Sequence, residues 1–369
     1  MQFICSTSKL IEALQIVTKA LAGRTTNPIL EDVLIETESD QLILTCTDER
    51  ITIVTRIPAE ILDPGRGAIP GKLFNDTVRN LPGDSLEIKM DGRGVFTLHS
   101  GPYQGDITGH DPDMFPMLPQ IEEEQEISLP QNMLRDMIQK TEFAIAQDDV
   151  REVLTGCLLE IGGGDVTMVA LDGFRLALRR AKCSDVLGNV SAIIPGRAVG
   201  DIGKLLSNDE EAFAHLSFGG NKLHIRLEDT EIFVILLQGE YVQYRQIMPK
   251  TFATRVEVEL EPLRRCIERA ALNARGGNNN LITLRIEDGK MVIAARSQIS
   301  GGSEPLDVIQ KGADLNIAFN VKYLTDMTRF MNSERIEICM TNSVSPCIVT
   351  PVDDSDYVHL ILPVRTSAS

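Results

Sequence analysis

Residues 69–84 read IPGKLFNDTVRNLPGD, residues 194–209 read IPGRAVGDIGKLLSND, and residues 319–334 read FNVKYLTDMTRFMNSE. In each, a base is followed by Asp four residues on and by a second base seven residues on: Lys72, Asp76 and Arg79; Arg197, Asp201 and Lys204; Lys322, Asp326 and Arg329. The three stretches recur at a constant offset of 125 residues. A period this long marks three homologous domains rather than a solenoid of short repeats. On a helix of about 3.6 residues per turn, positions 0, +4 and +7 share one face. Positions +1, +2, +5 and +9 fall mostly on the other and carry Leu73, Phe74, Thr77 and Leu81; Ala198, Val199, Ile202 and Leu206; Tyr323, Leu324, Met327 and Met331. Each stretch is expected to be an amphipathic helix, with an apolar side for a sheet and a charged side left over.

A second helix is expected to open each repeat, at SKLIEALQIVTKAL (8–21), PQNMLRDMIQKTEFAI (130–145) and EPLRRCIERAALNAR (261–275). Strand-like runs LILTCTD, VTMVALD and KMVIAAR lie between the helices, and LEIKM, LHIRL and IEICM beyond them. This order predicts an α+β fold, with two helices on antiparallel sheets in each of three domains. Pro-flanked, partly acidic joins at MLPQIEEEQEISLP (117–130) and PKTFATRVEVELEP (249–262) place those domains at 1–120, 127–250 and 253–369.

The 369-residue chain carries 36 Lys and Arg against 53 Asp and Glu, a net charge of −17. That average opposes nucleic-acid binding, which draws most of its affinity from phosphate neutralisation. The helices reverse it. The windows 7–21, 70–81, 130–145, 195–206, 261–275 and 320–331 hold 14 bases and 8 acids, a surplus of six that leaves −23 on the rest of the chain. Any one of these helices reads as a solvated face laced with i,i+3 and i,i+4 ion pairs. A threefold set within an acidic protein reads as a positive lining for a polyanion, provided the faces converge.

Other chemistry is missing. The composition, 43% hydrophobic and 24% charged, is that of an ordinary globular protein. No apolar run approaches the roughly 20 residues of a membrane span, and MQFICSTSKLIEAL lacks a basic-then-apolar signal region, so a cytoplasmic protein without membrane contact is expected. The seven cysteines, at 5, 46, 157, 183, 266, 339 and 347, form no CxxC pair and suit core positions or free thiols. No P-loop, HExxH or GxSxG occurs, and Gly162–Gly164 suits a hairpin turn. The histidines at 99, 110, 215, 224 and 359 are scattered, and Asp148 and Asp149 could bind a metal but show no evident third ligand. Neither cofactor, metal nor catalytic constellation is expected.

The segments TCTDERITI, DDVREVLTG, VALDGFRLAL, GEYVQYRQIMP, FNVKYL and HLILPVR, with the three repeats, resemble the bacterial DNA polymerase III beta subunit family, the sliding clamps, from Met1 to Arg365. The resemblance implies a head-to-tail homodimer of three-domain subunits that closes into a six-domain ring. Helices would surround duplex DNA and sheets would form the outer wall. Such a ring is a non-catalytic processivity factor, cytoplasmic and nucleoid-associated. Its implied partners are double-stranded DNA, the polymerase III catalytic subunit, the clamp loader, and other DNA polymerases and repair proteins that carry short apolar motifs. Non-specific phosphate attraction would permit sliding, because every register on the duplex is electrostatically alike.

Carried onto this chain, the resemblance places the helix bases Lys72, Arg79, Arg135, Arg197, Lys204, Arg264, Arg265, Arg269, Lys322 and Arg329 toward DNA, with Arg24 and Arg151 matching further basic positions. VALDGFRLAL (169–178) on its own reads as an Asp-Gly turn between apolar strands. By resemblance it helps wall a peptide cleft between the second and third domains. Leu154, Leu171, Gly173, Phe174, Arg175 and Leu176 belong to that cleft, as do Val242, Gln246 and Ile247. Asn320, Tyr323, Val344 and Pro346 join them, with the tail Leu360, Ile361, Leu362, Pro363, Val364 and Arg365. Arg175 is expected to lay its stem and charge at the cleft edge.

Departures from the family are visible too. Leu171 and Phe174 replace the Thr and His of the common Thr-Asp-Gly-His-Arg-Leu, Val242 stands where Pro is common, and Gln246 stands where a base can occur. A greasier cleft follows. Ring closure would pair edge strands near 102–109 and 296–304, with Gly105, Ile107, Leu272 and Glu304 at the contact. The bare Gly105 and the single acid in RSQISGGSEPL (296–306) predict a weaker dimer. Two other readings stay open at this point: a divergent extra clamp copy, from a mobile element or resistance locus, serving a subset of partners, and a repeat-built enzyme acting on an anionic polymer.

Overall fold

The computed structural model of the chain describes all residues except 24, 122–124, 149–150, 184–187, 275–279 and 367–369. The three quoted stretches are helices, Gly71–Arg79, Gly196–Leu205 and Val321–Phe330. Each follows directly on a strand, ending in Pro70, Pro195 or Asn320. Asn320 caps its helix by accepting the Lys322 N–H at 2.9 Å, satisfying one of the donors a helix start leaves open. The buried faces run through Phe74 and Val78, through Ala198, Val199 and Ile202, and through Leu324 and Met327. The bases at positions 0 and +7 are exposed in all three repeats. One apolar assignment fails: Leu73 is 54% exposed. In the first repeat the buried stripe runs through Phe74 and Val78, at positions +2 and +6, which turns Leu73 outward, whereas Ala198 at the same position of the second repeat is buried.

The opening helices are Thr7–Val17, Gln131–Gln139 and Leu260–Ala274. The first two are shorter than the sequence windows and give way to the 3-10 turns Thr18–Ala20 and Glu142–Ala144. The sequences assigned to joins also build structure, since Gln125–Pro130 and Thr254–Glu259 are strands. In TRVEVE the buried Thr254, Val256 and Val258 alternate with more exposed Arg255, Glu257 and Glu259, the period-two pattern of a half-buried strand.

Backbone contacts divide the chain into two compact units, residues 1–132 with 204–236, and residues 133–203 with 237–369. The central repeat is shared between them. In the first unit, among the described residues, the strands form one 12-stranded antiparallel sheet. Its long strand Ile51–Asp63 pairs with Gln2–Ser6 at one end and with Thr230–Ile235 of the central repeat at the other. The Thr55 and Thr230 hydroxyls lie 2.9 Å apart there. Beside them Glu231 accepts from Arg56 at 2.7 Å and pairs with His224 at 2.9 Å, while His224 stacks on Phe233. The sheet ends at Tyr103–Thr108.

The second unit holds a 9-stranded antiparallel sheet in which Arg175–Lys182 of the central repeat pairs with Tyr357–Ile361 of the third. A 4-stranded sheet ends at Gly301–Asp307. The helices Leu260–Ala274 and Val321–Phe330 close over a core that includes Ile282, Met291, Phe319, Ile336 and Tyr357. Burial of each such large apolar side chain contributes about 1.5–3 kcal/mol. Six of the seven cysteines are buried and all are free thiols. Burial pushes the Cys5, Cys157 and Cys339 thiols up to about 12, so they behave as core residues. Among the described residues no helix is long and apolar enough to cross a membrane.

Candidate functional site

Within the second unit the structure brings most of the expected cleft residues together. Leu154, Leu171, Leu176 and Leu360 are buried in one cluster with Leu178, Tyr241 and Tyr244, and the half-buried Val242 and Leu362 pack against it. Phe174, Ile247 and Val344 remain 59%, 44% and 46% exposed. The Phe174 ring stacks on Tyr323, centroids 6.2 Å apart. The tail is held by its backbone: the Leu362 N–H donates to the Phe174 carbonyl and the Val364 N–H to the Ala318 carbonyl, both at 2.8 Å. Gly173, Gln246 and Arg365 are exposed, while Pro346, Pro363 and Val364 are half-buried.

The Asp-Gly turn explains why Phe174 faces out and Arg175 faces in. Asp172 Oδ1 accepts the N–H groups of Phe174 and Arg175, each at 3.0 Å, which folds the chain back over one residue. Gly173 takes φ +86, a left-handed conformation open to glycine. The Arg175 side chain is then only 5% exposed, so it does not lie at the cleft edge as expected. Its Nε donates to Asp172 Oδ2 at 3.0 Å, its Nη2 to the Phe143 carbonyl at 2.6 Å, and its Nη1 to Asp326 Oδ2. The Tyr323 and Phe143 rings lie 4.9 and 5.4 Å from the guanidinium carbon. A buried guanidinium stripped of these partners would cost about 3–5 kcal/mol. Burial, reinforced by the Asp172 charge, pushes the Tyr323 hydroxyl up.

Ile361 is 1% exposed and packs in the third repeat's core, apart from the cluster of Leu154, Leu171, Leu176 and Leu360. Asn320 spends its side-chain oxygen on the helix cap. The segment carrying Val242, Gln246 and Ile247 is fixed by a residue that sequence reasoning missed. Glu160 accepts from the Tyr244 hydroxyl at 2.6 Å and from Arg245 at 2.7 and 3.2 Å. Burial works to raise the Glu160 carboxyl, but these donors outweigh it and hold it below the ordinary range. Asp172 and Asp326 were legible only in part, as the Asp of an Asp-Gly pair and as the acid four residues after a helix base.

The second candidate surface is the set of bases. Lys72, Arg79, Arg151, Arg197, Lys204, Arg265, Arg269, Lys322 and Arg329 are exposed, and Arg135 is half-buried. Arg24, like Asp149, lies outside the described residues. Arg264 has another task. Its Nε and Nη2 donate to the Thr328 carbonyl at 3.1 and 2.7 Å, and Nη2 also reaches the Met331 carbonyl at 3.2 Å. It therefore closes the C-terminus of Val321–Phe330, whose last carbonyls have no partner within the helix. Arg265 pairs with Glu261 along its helix, and Arg269 donates twice to Glu304, at 2.9 and 2.7 Å. At the edge strands, Ile107 is 7% exposed and turned into its own sheet, so it does not present a contact side chain as expected. The space beside Gly105 is taken by the Tyr103 ring, whose hydroxyl sits where a Cβ would need room. Leu272 is 59% exposed.

Three repeats in this order along one chain decide the family. Residues 1–119, 128–243 and 245–365 match the N-terminal, central and C-terminal domains of the DNA polymerase III beta subunit in turn. The chain belongs to the DNA polymerase III beta subunit family, the beta sliding clamps. The Staphylococcus aureus beta sliding clamp is 30% identical over 376 residues, covering 99% of this chain and 100% of that relative. The solved Bacillus subtilis sliding clamp is 30% identical, with a TM-score of 0.95 over 99% of both chains. A Pseudomonas aeruginosa sliding clamp bound to griselimycin is 26% identical, with a TM-score of 0.93 over 99% of this chain and 100% of that one. The clamp is thus a non-catalytic polymerase subunit, a processivity factor, and the reading as a repeat-built enzyme falls.

Proposed function

We propose that the clamp works as a ring of two head-to-tail copies, with subunit domain boundaries near 120–127 and 250–253. Its helices would face duplex DNA, and a cleft built on Leu154, Leu171, Leu176, Val242 and Leu360 would receive the short apolar motifs of polymerase, clamp-loader and repair partners. The observation that carries this reading is the exposure, in all three repeats, of the same two bases on the same helix face. Exposed bases spread over several helices attract phosphates without reading sequence, while the acidic remainder disfavours other approaches of DNA. The griselimycin-bound relative supports a ligand-accepting site on this fold. In the decisive experiment the clamp is trapped on nicked circular DNA and the circle is then cut. Loss of the clamp on cutting is expected; retention on the linear product would overturn the ring.

A further inference from the structure

Asp326 lies on the charged helix Val321–Phe330, yet its carboxylate serves two neighbourhoods. Oδ2 accepts from Arg175 Nη1 and also from Lys322 Nζ, the latter at 3.0 Å. One oxygen thus holds a cation buried behind the cleft wall, 5% exposed, and a cation 65% exposed on the helix face. Two cations on one oxygen repel each other and compete for the same lone pairs, so each bond is weaker than it would be alone. Arg175 is the hub of the wall. It fixes the turn through Asp172, packs under the Tyr323 ring, and Tyr323 stacks on Phe174.

We propose that Asp326 is a positioning residue for the peptide cleft and makes the cleft respond to DNA. A phosphate that draws the Lys322 ammonium away leaves Oδ2 wholly to Arg175. The Phe174–Tyr323 wall is then held more firmly, and less ordering is left for an incoming peptide to impose. Bound peptide would favour the DNA-engaged state by the same factor, because the coupling is reciprocal. The inference rests on the ring-and-cleft reading above.

The test uses the full-length protein and fluorescence anisotropy of a labelled peptide with a Gln-x-x-Leu-Phe end, with and without a short duplex at low salt. Asp326→Asn should weaken the peptide about fivefold, the lower end of ordinary coupling between sites. Lys322→Gln should tighten it about twofold to threefold without DNA and should not respond to the duplex, whereas wild type should tighten when duplex is added. The double variant should behave as Asp326→Asn. A merely structural role for Asp326 would not make removal of Lys322 improve binding. Asp326→Glu keeps the carboxylate, and partial recovery with it separates lost positioning from a lost fold. Equal affinity for wild type and Lys322→Gln, with no effect of duplex, while Phe174→Asp abolishes binding, would overturn the proposal and leave the cleft standing. Binding that survives Phe174→Asp unchanged would sink the cleft reading and this proposal with it.

Discussion

His359 stacks on Phe143 with ring centroids 5.4 Å apart and meets Tyr357 edge-on at 4.6 Å. Phe143 stacks in turn on Phe330, so side chains of the central and third repeats share one aromatic seam. His359 is 2% exposed, and its Nε2 has no hydrogen-bond partner among the described residues. Burial, with the Arg175 charge added, pushes its imidazole from 6.5 down to about 3. A depressed imidazole means that only the unfolded chain takes up a proton in this range. The stabilisation is complete above pH 6.5 and drains away as pH falls toward 3. His359→Phe keeps the ring contacts and removes the titration. Near pH 7.5 the variant should lie within about 1 kcal/mol of wild type, and near pH 5 it should be the more stable by about 2 kcal/mol. Urea unfolding at both values checks this; a difference independent of pH would refute it.

Glu231 gives the opposite kind of residue at the other inter-repeat strand pair. The His224 hydrogen bond, with Arg56 beside it and burial opposing, holds its carboxyl at about 2 instead of 4.5. A lowered carboxyl stabilises the fold fully above pH 4.5, and the gain is lost as pH falls toward 2. Glu231→Gln should therefore cost about 2–3 kcal/mol near neutrality, with the gap to wild type closing in acid. Denaturation series from neutral pH into acid read this directly. A gap that persists unchanged to the acid end would show that the pair contributes through packing instead.

These features were legible to different degrees, and sequence distance explains the difference. The helix faces could be read because charges at positions 0, +4 and +7 are costly to bury whatever the helix packs on. Leu73 was misplaced because an apolar stripe can be drawn a third of a turn off when position +1 is also apolar. Arg175 was set at the cleft edge because nothing local shows Asp326, 151 residues away, reaching its guanidinium. Arg264 looked like one more helix base, since the Thr328 and Met331 carbonyls it caps lie on another helix end 64 and 67 residues on. Ile361 was assigned to the cleft by its match to the family tail alone, and a matching position does not show which side of the strand faces the core. Local pattern gave elements and faces; the partners of buried charge come from the fold.

The helix lining should act collectively, and its members should separate by salt dependence. Each phosphate left without its base should lower the slope of log affinity against log salt by about 0.9. Arg197→Ala with Lys204→Ala should flatten the slope by about 2, with either alone giving about half of that. Arg264→Ala should leave the slope nearly unchanged and instead lower stability by about 1–2 kcal/mol, because it strands helix-end carbonyls. Retention of the trapped ring across a salt series, paired with thermal unfolding, distinguishes the two. A single charge removal that abolished all DNA association would defeat the diffuse lining.

Ring closure would rest on two sheet edges. Tyr103–Thr108 and Gly301–Asp307 each end a sheet, so each carries backbone donors and acceptors with no strand beside them among the described residues. Such edges are templates for pairing, and main-chain bonds would set the register between two copies. Side chains then decide the strength, and they are few. On the first strand Ile107 turns inward and Gly105 is covered by Tyr103, which leaves Tyr103, 37% exposed, as the apolar contact. By the second strand Glu304 is already engaged by Arg269 of its own chain, while Leu272 and Ile299 are 59% and 90% exposed. Those three apolar side chains offer about 1.5–3 kcal/mol each when fully buried, and a further exposed ion pair would add only about 0–1 kcal/mol. The clamp should therefore dissociate reversibly as protein is diluted into the nanomolar range, and Leu272→Asp should make it monomeric at much higher concentration. Sedimentation velocity across that range measures both. A wild-type dimer that stays intact at low nanomolar protein, or a Leu272→Asp variant that dimerises like wild type, would show that the contact is built from other residues.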